Sequence, residues 1–132
     1  MSANPALASG AYRRAATAVP PLKAVVMVYD EIVNSLLRLD VALEKNDPAG
    51  AFAQVERAAK MCRGLQHALD FNASKDVSGQ LDMVYKRMIF ALHASFGKRD
   101  ARARYRKLLE GIVELRNAWA EIGHEPARVL NG

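Results

Sequence analysis

The sequence predicts an all-α protein: an antiparallel up-and-down four-helix bundle with a short mobile N-terminal arm. Apolar residues recur at three- and four-residue steps in four stretches of about twenty residues, the period of a helix with one buried face. Each stretch is bounded by cap or turn residues, and the short connections between them favour antiparallel neighbours. Neither strand-like alternation nor an internal repeat competes with that reading. The 132 residues suit one domain, and 51% hydrophobic composition lets it bury a core without staples.

The first helix opens at Pro20-Pro21, where a fixed φ and a missing N–H cost little. Val25, Val26, Tyr29, Ile32, Val33, Leu36 and Leu43 then mark one stripe, and the helix runs to about Lys45. Asn46-Asp47-Pro48 makes a turn with Asp47 as N-cap. The second helix carries Phe52, Val55, Ala59, Cys62, Leu65 and Leu69 on one face and is expected to end near Asp70. A polar connector is read over residues 72–79. The third helix, from about Ser78 to Phe96, presents Leu81, Val84, Tyr85, Met88, Ile89 and Leu92. Gly97 closes it and Asp100 caps the fourth helix, which places Tyr105, Leu108, Leu109, Ile112, Leu115, Trp119 and Ile122 on one face and stops at Gly123. Residues 1–19 lack a repeating face and read as the arm, residues 20–123 as the bundle, and residues 124–132 as a C-terminal tail.

Charge and cysteine content narrow the function. A net charge of +5 favours acidic partners without choosing among nucleic acid, anionic lipid and protein. The lone Cys62 cannot form an internal disulfide, which fits a reducing cytoplasm. The N-terminus does not read as a signal peptide, and the longest apolar run, Ala24 to Tyr29, is too short for a membrane span. The expectation is a cytoplasmic protein.

Chemistry is mostly missing. Glu121-x-x-His124 is the single match to the ligand pair of a di-metal bundle, and Gly123 interrupts it. His67, with only Asp70 one turn on, and His93, with no acidic or cysteine neighbour one turn away, read as surface residues. Cys62 lies on an apolar stripe and reads as core. Glu110 and Glu114 share a spacing that a solvated face explains, and no phosphate loop or nucleophile elbow is present. The chain is expected not to be an enzyme and to need no cofactor or metal.

Two features exceed what a bundle requires. Lys98, Arg99, Arg102, Arg104, Arg106 and Lys107 crowd positive charge at the N-terminus of the fourth helix, where the macrodipole disfavours cations. A solvated surface, a contact with an acidic protein and, last, nucleic-acid binding all fit that cluster. Surplus apolar residues are the second feature. Val28 and Leu39 lie off the main stripe of the first helix, with Ser35 between them on the same face. On the third helix Met83, Phe90 and Ala94 form a second line at i, i+7 and i+11. A helix apolar on two sides must bury the second side against something. Either the arm covers it, or it lines a groove for an amphipathic helix or extended peptide with Met83 and Phe90 as anchors. A removable arm reconciles the two.

Taken in order, the residues resemble the FliS family. The arm from Leu7 to Tyr12 is followed by Pro-Pro and Met27-Val28-Tyr29-Asp30. Then come Glu44-Lys45-Asn46-Asp47, Leu69-Asp70-Phe71, the set Leu81, Tyr85, Met88, Ile89 and Leu92, and Glu114-Leu115-Arg116-Asn117-Ala118-Trp119. The chain departs from the family at Ser74-Lys75-Asp76, where a Gly-Gly-Glu is usual, and at Phe90-Ala91, where paired arginines are usual. Its fourth helix also starts basic rather than acidic.

The resemblance implies an export chaperone that binds the disordered C-terminal segment of flagellin, prevents premature polymerisation and presents it to the export apparatus. Flagellin is the expected partner and the export gate a second, weaker candidate; no nucleic acid and no membrane span are expected. By the same resemblance Leu7 and Tyr12 are arm contacts, and Val28, Tyr29, Tyr85 and Met88 match binding positions on the first and third helices. Leu39, Met83 and Phe90 come from the apolar pattern alone. The alternative function is a basic helical bundle that binds nucleic acid through the cationic cluster.

Overall fold

A computed structural model describes residues 21–69 and 75–130. Four helices follow one another: α1 (Pro21–Glu44), α2 (Pro48–His67), α3 (Lys75–Ala94) and α4 (Ala101–Ile122). The arm, with Leu7 and Tyr12, and the Asp70-Phe71 pair lie outside the described residues. Among the described residues no strand forms, and no helix is long and apolar enough to cross a membrane.

The turns follow from local chemistry. Asn46 takes a left-handed φ of 54°, and the Asp47 side chain accepts from the Gly50 N–H at 2.9 Å to cap α2, with Pro48 in the first turn. A Cβ on Gly50 would sit 2.2 Å from that carboxylate, so the cap itself requires glycine there. Gly97, at φ +80°, turns the chain between α3 and α4. Asp100 stands at the N-cap of α4 without a side-chain cap bond, because its carboxylate accepts instead from Arg104 Nε at 2.7 Å.

Three boundaries differ from the sequence reading. α2 ends at His67, earlier than Asp70, with Ala68 as C-cap. α3 begins at Lys75, so residues 75–79 are helix rather than connector. Asp76 in the first turn suits the positive end of the helix dipole, and Ser78 is buried, so this turn has both an electrostatic and a packing reason to form. α3 also ends two residues early, at Ala94. At the other end of the bundle the left-handed residue after α4 is His124, at φ 58°, and not Gly123.

α1 packs along α2 on one side and α4 on the other, and α3 packs against α2, while α3 and α4 hardly meet except near their connection. The core is correspondingly centred on α1 and α2, from Tyr29, Ile32, Val33 and Leu36 across to Val55, Ala59 and Cys62. Tyr85, Met88 and Leu92 complete it from α3, and Tyr105, Leu109 and Ile112 from α4. Tyr105 donates its hydroxyl proton to the Leu92 carbonyl at 2.7 Å, tying the start of α4 to the last turn of α3. Burial holds the Cys62 thiol up at about 12, so it remains neutral and serves as a small core residue.

The tail is part of the bundle. Arg116 on α4 grips Asp30 on α1 with Nε–Oδ1 at 2.9 Å and Nη2–Oδ2 at 3.3 Å, and its remaining nitrogen donates to the Pro126 carbonyl. Arg128 reaches Asp30 Oδ1 at 3.0 Å and Asn34 Oδ1 at 2.6 Å. Asn117 closes the set by donating to the Arg128 carbonyl at 2.9 Å and accepting from its N–H at 2.8 Å. Partial burial pushes the Asp30 carboxyl up, but the two guanidiniums outweigh it and hold the group below the usual carboxylate range. Residues 124–130 are thus laced across the α1–α4 seam.

Candidate functional site

Because α3 has α2 as its one close neighbour, its opposite flank stays open toward α4. The flank opens into a groove of about 600 Å³. Val84, Met88, Ala91 and Ala94 of α3 face Leu108, Ile112 and Leu115 of α4 across it, with Phe90 at its edge. From Val84 to Ala94 the α3 wall is about 15 Å long at about 1.5 Å per residue, close to three turns of a docked helix. Gly111 lies in the α4 wall, and a Cβ there would meet nothing within 4 Å. A mid-helix glycine costs about 0.5–1 kcal/mol relative to alanine.

Phe90 is 74% exposed, a large apolar side chain that the bundle leaves uncovered. Its exposure beside an apolar groove makes the two together a candidate binding surface. Met88 forms part of the floor and is nearly buried.

The other residues singled out from the sequence fall in different places. Tyr29 and Tyr85 are interior, Tyr29 with no exposed surface, and the Tyr29 hydroxyl donates to that of Tyr85 at 3.0 Å. Burial, reinforced by this bond, raises the Tyr29 phenol well above its ordinary value. Their rings meet at a centroid distance of 6.4 Å, so the two are a polar clasp inside the core and offer no free surface. Leu39 is also fully buried, and so is Ser35 beside it. The surplus face read on α1 is therefore core, because α1 has a neighbour on both sides and needs a wider apolar arc than a one-sided helix. Val28 is half-buried and packs on that core. Met83 is 49% exposed but is not among the side chains that line the groove.

The cationic cluster divides in two. Arg102 makes a bidentate pair with Asp40 of α1 at 2.9 and 3.1 Å, Arg104 reaches Asp100, and Arg106 lies 3.7 Å from Glu110. These pairs offset the cost of cations at the start of α4. Arg104 and Lys107 also edge the groove, as does Arg87 from α3. His93, read as an isolated surface residue, in fact joins α3 to α2 through Nε2 and Glu56 Oε1 at 2.8 Å. Among the described residues no group of three or more His, Cys, Asp or Glu side chains is arranged to hold a metal.

The apolar groove between α3 and α4, with Phe90 exposed on it, is the candidate surface for another chain. The model of one family, described as flagellar protein FliS, matches residues 3–126. The chain belongs to the FliS family. No curated protein matches it closely enough to add an individual relative. FliS membership implies a flagellar export chaperone. It also gives the sequence blocks a structural meaning. Asp30, at the end of Met27-Val28-Tyr29-Asp30, and Arg116-Asn117, within the block ending in Trp119, meet in the tail lacing. Nothing in their sequence spacing reveals that contact, 86 residues apart.

Proposed function

We infer that this FliS-family chain is a cytoplasmic, non-catalytic export chaperone that binds the disordered C-terminal segment of flagellin in the α3–α4 groove. Binding there keeps the segment from polymerising and hands flagellin to the export apparatus. The observation that carries this reading is the apolar groove with Phe90 left exposed at its edge. A segment that folds as it docks buries roughly 1,000–3,000 Å² and loses about 2–5 kcal/mol to ordering, so it needs a continuous apolar surface in return. Phe90, exposed, and the half-buried Val84, Ala91, Leu108 and Leu115 are the side chains that offer it. The N-terminal arm, residues 1–19, is read as the removable cover of the same groove, with Leu7 and Tyr12 as its apolar contacts.

The test is isothermal titration of the protein with the C-terminal segment of flagellin from the same bacterium at two temperatures. The reading expects saturable one-to-one binding with a negative heat-capacity change, and a loss of about 30-fold or more for Phe90→Asp. A folded Phe90→Asp variant that binds as well as the parent removes the groove from the account.

A further inference from the structure

The groove is apolar on its floor and cationic at its edge. Its charged lining residues are Arg87, Arg104, Lys107 and Asp100, three cations against one carboxylate. Asp100 is engaged by Arg104 at 2.7 Å. Arg87 and Lys107, on opposite walls, have neither an ion pair nor a hydrogen bond among the described residues. Unpaired cations on both walls of an apolar trough favour a helix with carboxylates flanking its apolar stripe, since rim charges act on approach and register more than on raw affinity.

The chain's own arm has the opposite character. Residues 1–20 include Arg13 and Arg14 and contain no Asp or Glu. Charge gives a segment of that composition no advantage at a cationic edge. The second copy of a chain with net charge +5 is disfavoured for the same reason.

We propose that the Arg87 and Lys107 edges make the α3–α4 groove selective for an amphipathic helix with acidic flanks. This rests on the groove being the client site. Phe90, where paired arginines are usual in the family, leaves the cationic selection on the α3 side to Arg87.

The test uses the full chain and a fluorescently labelled flagellin C-terminal segment, followed by anisotropy from 50 to 500 mM salt. Arg87→Glu with Lys107→Glu is compared with Lys60→Glu and Arg63→Glu, a control of equal charge change on exposed α2 positions; circular dichroism checks the fold of both. The groove variant is expected to bind about tenfold or more weakly at low salt and to lose most of the salt dependence, while the control changes less than about threefold. A copy of the segment with each Asp and Glu replaced by Asn and Gln should bind the parent as weakly as the unmodified segment binds the groove variant. Equal losses in the two variants, or no loss in either, overturn the proposal while leaving the groove as client site if Phe90→Asp still abolishes binding. Failure of the parent to bind the segment overturns both.

Discussion

The two flanks of this bundle are built from similar helices and end in opposite states. On the α1–α4 flank the helices pack closely: apolar residues interdigitate, Arg116 and Arg128 converge on Asp30, and residues 124–130 are laced over the seam. On the α3–α4 flank the helices separate, leaving Phe90 exposed and Gly111 facing open space. The difference shows that surplus apolar residues are not a site by themselves. What matters is whether a neighbouring helix reaches them, and in this topology α1 has two such neighbours and α3 has one.

Substitutions on the two flanks should therefore separate stability from binding. Leu39→Ala, on the sealed side, should cost about 3 kcal/mol in urea unfolding, the usual range for a fully buried leucine. Arg116→Ala comes next, at about 2–3 kcal/mol, because it leaves a partly buried Asp30 with one guanidinium and removes the tie to the tail. Tyr29→Phe should cost about 1 kcal/mol by deleting the buried hydroxyl donor to Tyr85. Phe90→Ala should change stability by less than about 0.5 kcal/mol, as expected of an exposed side chain, while weakening client binding. Gly111→Ala should stabilise by about 0.5–1 kcal/mol, since the added Cβ meets nothing. If Leu39→Ala proved as mild as Phe90→Ala, the contrast between the flanks would be lost.

Acid titration sharpens the same contrast on the sealed side. The Asp30 carboxyl is held below its ordinary value in the folded protein, so its stabilisation is present above the ordinary carboxylate range. It disappears as pH falls through the lowered folded value. The urea midpoint of the parent should accordingly exceed that of Asp30→Asn at pH 7, and the gap should shrink as the pH falls below the ordinary carboxylate range through the lowered folded value. A gap that stays constant with pH would mean that the lacing works by shape and neutral hydrogen bonds alone.

Four helices and most of the core were legible in the sequence because the 3.6-residue period records burial directly. Tyr29, Ile32, Val55, Met88 and Ile112 all announce themselves by spacing. Leu39 did not, since an amphipathicity reading assumes one buried arc and α1 needs two. Asp30, Arg116, Asn117 and Arg128 escaped for a different reason: an ion pair across 86 residues leaves no local periodicity, and the residue types alone look like solvated surface. Phe90 was legible because it breaks the helix's own pattern, an aromatic on the face opposite the core. Which wall it would face depended on the near absence of α3–α4 packing, a property of topology that no single helix encodes. The cationic start of α4 was visible as an anomaly, while its division into paired Arg102, Arg104 and Arg106 and unpaired Lys107 needed the neighbouring Asp40, Asp100 and Glu110 in place.

The central claim is that the client occupies the open flank and leaves the sealed one alone. Hydrogen–deuterium exchange of the full chain, with and without a saturating flagellin C-terminal segment, tests it most directly. The account predicts new protection in residues 84–95 and 104–115, with residues 124–130 and the α1 seam unchanged. Protection that appeared along the α1–α4 seam while residues 84–95 exchanged as before would contradict it.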